Sequence, residues 1–247
     1  MHNIRLLLTY DGTRYLGWQK TKTGLSIEKE LEKALLTILQ QKIVLQAASR
    51  TDAGVHALGQ VVNFFTAKNI DIGKLQYSLN CLLPKDIVVN RVEIADPNFH
   101  PTIDCKSKTY HYHVCYERIQ LPCQRSYAWH YPRPISIDQI KKGITLLVGQ
   151  RDFSSFCNSK ASCNYLDYRR DLETIEVYEL PNECLRFEIR GNNFLYKMVR
   201  NLVGSLIYIG TGKIPLQELE EIIEKGERTH GGVTAPACGL FLYQVDY

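Results

Sequence analysis

The sequence predicts an α+β protein in which the element order β-α-β-β-α-β occurs twice along the chain. Apolar residues at steps of three and four mark helices that bury one face, whereas short apolar runs bounded by turn residues mark strands. This repeated order is that of the ferredoxin-like unit. We therefore expect two ferredoxin-like subdomains with antiparallel sheets and an active-site cleft between them.

The first subdomain is predicted over residues 1–104. It opens with a strand over 4–10, which ends at the turn signal Asp11-Gly12. Ser26 is a candidate N-cap for the helix that follows, because the apolar residues over 27–39 recur on one helix face. The remaining candidates in this half are strands over 43–47, 60–65 and 87–94 and a helix over 72–82.

The second subdomain is predicted over residues 105–247 and repeats the order of the first. Pro181-Asn182-Glu183 is a hairpin connection between two strand candidates, and the helix over 193–208 is strongly apolar. The halves share this order without visible sequence similarity, so the repeat is one of architecture. The other candidates are strands over 108–116, 172–180, 184–190 and 241–245 and helices over 137–147 and 216–223.

Composition sets the broad class of the protein. The chain has 247 residues, of which 45% are hydrophobic and 23% charged, as in soluble globular proteins. A formal charge of +4 permits a polyanionic partner without demanding one. No apolar run reaches the roughly 20 residues that cross a membrane, and the eight cysteines contain no C-x-x-C pair. We expect a cytoplasmic protein with no membrane segment.

The segment over 48–60 is the richest in side chains suited to catalysis. It connects two strand candidates over about 12 residues, longer than the usual hairpin loop, and it contains Arg50, Asp52 and His56. An arginine near an aspartate favours the ionised carboxylate, which suits a nucleophile or a base. No second carboxylate lies in the loop, which disfavours a glycosidase. A plain tight turn is the alternative interpretation.

Three other positions offer further candidates. Arg200 lies in the strongly apolar helix, where an unpaired charge would be costly, so it needs an anionic partner unless it reaches the surface. Tyr110 shares a strand face with another tyrosine, which fits either stacking on a base or core packing. The pair His111 and His113 lacks an identifiable third ligand, so we predict no metal site.

The segment over 50–60 resembles the active-site signature of the tRNA pseudouridine synthase A (TruA) family. Further blocks resemble this family in order along nearly the whole chain, which makes accidental similarity very unlikely. The blocks are Asp11-Gly12-Thr13 with Gly17-Trp18-Gln19, Leu79 to Pro84, Phe99-His100, Lys106 to Tyr110, Asp152-Phe153-Ser154, Phe187 to Asn192, Met198 to Asn201, and Thr234 to Ala237 with Gly239-Leu240.

The resemblance implies that the chain converts uridine to pseudouridine in the anticodon arm of tRNA, at about positions 38–40, without a metal or other cofactor. It implies that Asp52 is the catalytic carboxylate and that Arg200 is its partner. It also implies that Arg50 takes the place of the extruded base, and that Tyr110 packs on the target base. A homodimer is expected on the same ground.

The remaining substrate contacts are assigned to three residues near these blocks. His56 lies close to Asp52 in the signature, and Lys106 and Lys108 are candidates for contacts to the RNA backbone, because RNA affinity depends strongly on lysine and arginine. Scattered surface charge is the alternative for the lysines. Two stretches depart from the family pattern: Glu28 stands where glutamine is common, and residues 101–105 are less basic.

Two other functions compete with this prediction. Tandem ferredoxin-like units also occur in non-catalytic RNA-binding modules, although the strand signature of such modules is absent here. A hydrolase that used Asp52 would release free base. Analysis of the reaction products separates all three functions.

Overall fold

The computed structural model describes residues 1–158, 165–225 and 232–247. The protein contains both helices and strands and divides into two compact units. The first unit is Met1–Lys106 together with Phe241–Tyr247, and the second is Ser107–Leu240. Residues 241–247 were predicted to belong to the second subdomain. In the structure they group with the first unit.

The first unit is built from four strands, two helices and the strand at the end of the chain. Buried and half-buried residues alternate from Ile4 to Tyr10 in its first strand. The helices bury one face each, as their apolar spacing predicts. Ser26 caps the first helix by accepting a hydrogen bond from the Lys29 N–H. The elements are β1 (His2–Tyr10), α1 (Ile27–Leu39), β2 (Gln46–Ala47), β3 (His56–Thr66), α2 (Ile72–Leu82), β4 (Ile87–Ala95) and β10 (Leu240–Asp246).

The sheet of the first unit has β1 between β4 and β3, and β2 pairs with β3; all these pairs are antiparallel. In contrast, β10 runs parallel to β3, with Phe241 opposite His56 and Leu242 opposite Ala57. The prediction of purely antiparallel sheets is therefore wrong for this pair. The physical reason is that β10 returns after a long excursion of the chain, so no tight hairpin forces it to run antiparallel.

The second unit contains five strands and three helices in its described part. The strand β5 pairs with β9, β9 with β8, and β8 with β7, all antiparallel. The elements are β5 (Ser107–Cys115), β6 (Trp129–His130), α3 (Ile137–Leu147), β7 (Gly149–Asp152), β8 (Arg169–Leu180), β9 (Cys184–Gly191), α4 (Met198–Gly210) and α5 (Leu216–Lys225).

Two short strands of this unit, β6 and β7, were not predicted. They are too short to show an alternating pattern, and β6 is held by its parallel pairing with β5, where Val114 lies opposite Trp129. The apolar helix α4 begins at Met198 rather than at Asn193, because Lys197 before it has a left-handed backbone with φ of 60°. Such a residue marks the end of regular helix.

The helices of the second unit pack together, since α3 contacts both α4 and α5. Nearly every residue of α4 is buried, which explains its apolar sequence. None of the helices in the described part of the chain combines the length and the apolar character that crossing a membrane requires.

Candidate active site

The Asp52 loop, residues 48–55, connects β2 to β3 in the first unit. It is shorter than the connection of about 12 residues that the sequence suggested, because β3 already begins at His56. Within the loop the N–H of Val55 donates to the carbonyl oxygen of Asp52 at 3.1 Å. The loop therefore ends in a tight turn in which Asp52 is the first residue.

Hydrogen bonds from β1 and β3 hold the residues that precede Asp52. The side-chain amide of Gln60 in β3 accepts from the N–H of Ser49 at 3.2 Å and donates to the carbonyl oxygen of Ser49 at 2.6 Å. The hydroxyls of Tyr10 in β1 and Thr51 share a hydrogen bond of 2.8 Å. Since Gln60 and Tyr10 are buried, water does not compete for these contacts.

A second set of contacts comes from residues 12–18, here termed the bracing segment. The N–H of Trp18 donates to the carbonyl oxygen of Thr51 at 3.0 Å, and the N–H of Gly54 donates to the carbonyl oxygen of Tyr15 at 3.2 Å. These bonds satisfy backbone groups on both sides of Asp52. The bracing segment therefore fixes the path of the chain through the catalytic candidate.

Two glycines allow the bracing segment to approach the loop this closely. A Cβ on Gly12 would lie 2.0 Å from the carbonyl oxygen of Val55, and one on Gly17 would lie 2.5 Å from that of Thr51. Gly17 also has φ of +94°, where other residues are strained. Both glycines belong to blocks that resemble the family, but no pattern in the sequence indicates that they contact the Asp52 loop.

Asp52 is half-buried and Arg50 is exposed. A half-buried carboxylate on a loop with a fixed backbone is shielded from part of the solvent and yet remains accessible. The exposed guanidinium of Arg50 is accessible to a large ligand such as RNA, and guanidinium groups stack on bases and bind phosphates. The structure therefore brings two of the predicted catalytic residues together in one loop.

His56 is buried in the first unit, where it packs and hydrogen-bonds with neighbouring residues. Only 1% of its surface is exposed, and its ring stacks on Phe241 with centroids 4.5 Å apart. Its Nδ1 accepts from the N–H of Gly12 at 3.1 Å. The same nitrogen lies 3.2 Å from an Asp11 carboxylate oxygen, but an atom that accepts the Gly12 N–H has no proton to give to that oxygen. His56 therefore supports the bracing segment at this contact.

Tyr110 and Lys108 lie in β5 of the second unit, and each is only 7% exposed. The Tyr110 ring meets Phe194 edge to face, with centroids 5.0 Å apart. Lys106, in contrast, is exposed, and its N–H donates to the carbonyl oxygen of Asp246 at 2.9 Å. Of the two lysines chosen as backbone-phosphate candidates, only Lys106 is displayed on the surface.

Arg200 lies in the first turn of α4 and is half-buried. Its Nε donates to the carbonyl oxygen of Ala235 at 2.7 Å, while its own carbonyl oxygen accepts from the N–H of Ala235 at 3.1 Å. We term residues 232–235 the closing segment. The two hydrogen bonds tie this segment to α4 and set the direction of the guanidinium, so Arg200 is held by more than its own helix.

Asn201, next to Arg200, completes this arrangement from a fully buried position. Its amide nitrogen donates to the carbonyl oxygen of Phe156 at 2.6 Å and to Oδ1 of Asn158 at 2.8 Å. Its amide oxygen accepts from the Thr234 hydroxyl at 2.7 Å. Satisfied polar groups in a core specify one arrangement. The sequence signal for this role is an amide side chain next to Arg200 in the most apolar helix.

A family model described as tRNA pseudouridine synthase matches residues 7–103 and 144–247 of this chain. The chain belongs to this family. The tRNA pseudouridine synthase A 2 of Protochlamydia amoebophila (strain UWE25) is 50% identical over 248 residues, which cover 100% of this chain and 95% of the relative. The tRNA pseudouridine synthase A of Thermoanaerobacter sp. (strain X514) is 40% identical over 252 residues, which cover 100% of each chain.

The ranges matched by the tRNA pseudouridine synthase model contain two of the described sites. The first range includes the bracing segment and the Asp52 loop, and the second includes Arg200 and the closing segment. Tyr110 lies between the two ranges. The Asp52 loop and the Arg200 region therefore both lie in the parts of the chain that match the family.

The charge of Arg200 affects the pKa values of two neighbouring side chains, those of Tyr112 and Cys238. Burial raises the pKa of the Tyr112 hydroxyl well above its usual range and also raises the pKa of the Cys238 thiol, and Arg200 opposes both shifts. The two groups therefore stay neutral at neutral pH and do not neutralise the guanidinium. Guanidinium groups bind carboxylates and phosphates.

One histidine of the H-x-H pair in β5 lies beside a carboxylate on the neighbouring strand. His111 Nε2 lies 3.1 Å from a carboxylate oxygen of Glu188 in β9. Burial lowers the pKa of His111, an effect that Glu188 opposes and Arg186 reinforces. Among the residues that the structure describes, no group of three or more histidine, cysteine or acidic side chains is arranged to hold a metal ion.

Proposed function

We propose that this member of the tRNA pseudouridine synthase family isomerises uridine to pseudouridine in the anticodon arm of tRNA, with Asp52 as the catalytic carboxylate. The observation that supports the role of Asp52 most strongly is the bracing of its backbone. Strand side chains, the bracing segment and an internal turn all hold the loop, while the carboxylate stays partly accessible. Catalysis needs a reacting group held in this way.

The reaction requires a carboxylate but no redox partner. The bond between C1′ of the ribose and N1 of uracil breaks, a bond between C1′ and C5 forms, C5 loses its proton and N1 gains one. An isomerisation of this kind needs a group that attacks the sugar or removes a proton from it. A carboxylate such as that of Asp52 is chemically able to do either. A guanidinium such as that of Arg200 is a suitable partner for a carboxylate in the reaction.

The other site residues have roles in binding the RNA. A uridine in a stacked stem must leave the stack, at a cost of roughly a few kcal/mol. The exposed Arg50 is suited to take its place. We assign Tyr110 to packing on the extruded base on the family resemblance alone, since only 7% of this residue is exposed. Lys106 is suited to contact a phosphate, whereas the low exposure of Lys108 favours a role inside the fold.

The finer architecture belongs to the same proposal. We assign a ferredoxin-like arrangement to the first unit, since its strand order of β4, β1, β3 and β2 is antiparallel with helices between the strands. This unit would supply the carboxylate, and the second would supply Tyr110 and Arg200. A homodimer and a cytoplasmic location complete the proposal.

The test is to incubate the protein with a tRNA transcript tritiated at uridine C5 and to measure label release without any added cofactor. The wild type should release label, and Asp52→Asn should release none while still binding the transcript. Asp138→Asn, which changes an exposed aspartate at the start of α3, is the matched control and should behave as wild type. Release by Asp52→Asn at the wild-type rate would remove Asp52 from the mechanism.

The same assay separates the competing functions. Binding without label release would favour a non-catalytic RNA-binding module, and free uracil among the products would favour a hydrolase. Transcripts in which the uridines of the anticodon arm are replaced by cytidine test the location, because they should release no label. Continued release from these transcripts would move the substrate elsewhere in the tRNA.

The role of Arg50 gives a second prediction. Arg50→Ala should lower the rate by about tenfold or more, because the gap left by the extruded uridine is then unfilled and the few kcal/mol of lost stacking are not recovered. Single-turnover label release measures this rate. Arg151→Ala, which removes another exposed arginine in the second unit, is the control. An unchanged rate in Arg50→Ala would exclude this role.

A further inference from the structure

The residues before Asp52 are held by a chain of buried hydrogen bonds that begins at Gln60. This side chain is fully buried in β3. Its Oε1 accepts the Ser49 N–H and its Nε2 donates to the Ser49 carbonyl oxygen. The Ser49 N–H needs an acceptor and the Ser49 carbonyl oxygen needs a donor, so these two backbone groups determine which way the Gln60 amide is oriented.

The chain continues through Tyr10 to the residue next to Asp52. The Nε2 of Gln60 also donates to the Tyr10 hydroxyl oxygen at 3.4 Å, and this hydroxyl lies 2.8 Å from that of Thr51. A hydroxyl that accepts from the amide has its single proton left to donate, so we orient the Tyr10 proton towards Thr51. Tyr10 is 2% exposed and Thr51 is 9% exposed.

We infer that Tyr10 and Gln60 are positioning residues for the reaction, acting through Thr51 and Ser49 to fix where the Asp52 carboxylate stands. This inference rests on the proposed role of Asp52. The two side chains belong to β1 and β3, which pair along most of their length, so they transfer the rigidity of the sheet to the loop. Neither is exposed enough to contact the tRNA directly.

The hydroxyl pair is the most informative link to break. Trp18 holds the Thr51 carbonyl oxygen from the backbone, so losing the Tyr10 hydroxyl leaves the loop folded. The Thr51 hydroxyl then loses its hydrogen bond with Tyr10, and the backbone around Asp52 becomes more mobile. A displacement of about 1 Å at a reacting group can lower a rate by about 100-fold.

The experiment measures single-turnover label release and tRNA affinity for Tyr10→Phe, Thr51→Val and the double variant. We expect each single variant to lose about 10- to 100-fold in rate, with the dissociation constant for tRNA within about twofold of wild type. The double variant should be no slower than the slower single variant, because both changes remove the same bond. Thr51→Ser should recover most of the rate lost in Thr51→Val.

The Gln60→Met variant tests the same series of hydrogen bonds independently. Methionine has a similar length but no amide, so Ser49 and Tyr10 both lose a partner. We expect a lower single-turnover rate in this variant with unchanged tRNA affinity. If Tyr10→Phe does not fold, the comparison of Thr51→Val with Thr51→Ser and the Gln60→Met variant still decide the outcome.

The matched control is Tyr131→Phe, which removes a buried tyrosine hydroxyl in the second unit that has no hydrogen-bond partner among the described residues. Its rate should stay at the wild-type value. Wild-type rates in both Tyr10→Phe and Thr51→Val would overturn the inference while leaving Asp52 catalytic. Activity in Asp52→Asn would instead overturn the proposed function itself. A parallel loss of rate and of tRNA affinity would show a structural role only.

Discussion

The Asp52 loop and the region around Arg200 present their charged groups in opposite ways. Asp52 lies in a connection between strands, and its backbone is held by side chains and main-chain groups from elsewhere in the first unit. Arg200 lies in a regular helix, and the closing segment is attached to that helix through Ala235. The Asp52 loop is therefore held by the strands and the bracing segment around it, whereas α4 holds the closing segment through Arg200.

This difference determines how each region should respond to change. The loop has few internal contacts, so its position depends on individual external bonds, and weakening one should alter catalysis more than stability. The helix α4 is part of the core, so a change at its contact with the closing segment should alter stability first. The predictions below test this contrast.

The largest expected effect is at Gly204 in α4. A Cβ there would lie 1.7 Å from the carbonyl oxygen of Val233. We expect Gly204→Ala to lower the free energy of unfolding by about 3 kcal/mol, the upper part of the usual range for overpacking, because the closing segment must move away from the helix. Urea denaturation measures this change.

Gly73→Ala is the control for helix propensity. Gly73 lies in α2, and the nearest atom to an added Cβ is 3.5 Å away. This variant should be more stable than wild type by about 0.5–1 kcal/mol, the normal gain for alanine in a helix. A similar gain in Gly204→Ala would show that the closing segment yields easily, and the contrast between the two regions would then fail.

The next effect is at Gly17 in the bracing segment. Its φ of +94° and the 2.5 Å approach to the Thr51 carbonyl oxygen leave no space for a side chain. We expect Gly17→Ala to lower the single-turnover rate by about 100-fold, because the displaced backbone carries Asp52 with it. The loss in unfolding free energy should be smaller than that of Gly204→Ala.

Gly212→Ala separates strain from displacement. Gly212 has φ of +70°, and an added Cβ there meets no atom within 4 Å. This variant should lose about 1–2 kcal/mol of stability from backbone strain alone and should keep the wild-type rate. If Gly17→Ala also keeps its rate, the bracing segment does not position the carboxylate.

The smallest effect concerns pH and His111 in the second unit. Burial lowers the folded pKa of this imidazole, with Glu188 opposing and Arg186 reinforcing the shift. The unfolded chain therefore takes up the proton first, near the ordinary value of about 6.5. As pH falls through that value, the free energy of unfolding should decrease by up to about 1.4 kcal/mol per pH unit, until the folded imidazole also becomes protonated.

Urea unfolding between pH 7.5 and 5.5 measures this slope. His111→Gln should show a smaller loss of stability on acidification than wild type, while His2→Gln, which removes an exposed imidazole, should retain the wild-type slope. Equal slopes in wild type and His111→Gln would contradict the prediction. The result would show whether the contact between β5 and β9 at His111 is sensitive to acid.

Most of the secondary structure was predictable, because it depends on local periodicity. The apolar face of α1, the Ser26 cap and the strand over residues 4–10 were all predicted from the sequence and are present in the structure. The start of α4 was placed too early because an apolar sequence does not reveal a left-handed residue such as Lys197. The short strand β6 depends on a partner that is distant in sequence.

The candidate site was less predictable than the fold. Asp52 and Arg50 could be chosen from their loop and from the family resemblance. The low exposure of His56 and Lys108 could not be inferred, since both residue types are usually at least partly exposed. The contacts of Gln60 with Ser49 and of Tyr10 with Thr51 join residues of different elements, and no local pattern predicts them.

The sequence by itself determined the elements, the family and the identity of the candidate carboxylate, because periodicity, caps and signature residues act over short distances along the chain. Only the tertiary structure decided which groups hold that carboxylate in place. The bracing segment, Gln60 and Tyr10 reach the Asp52 loop through pairing of β1 with β3 and through close backbone approaches at glycine. These contacts depend on distances in space, which residue spacing does not specify.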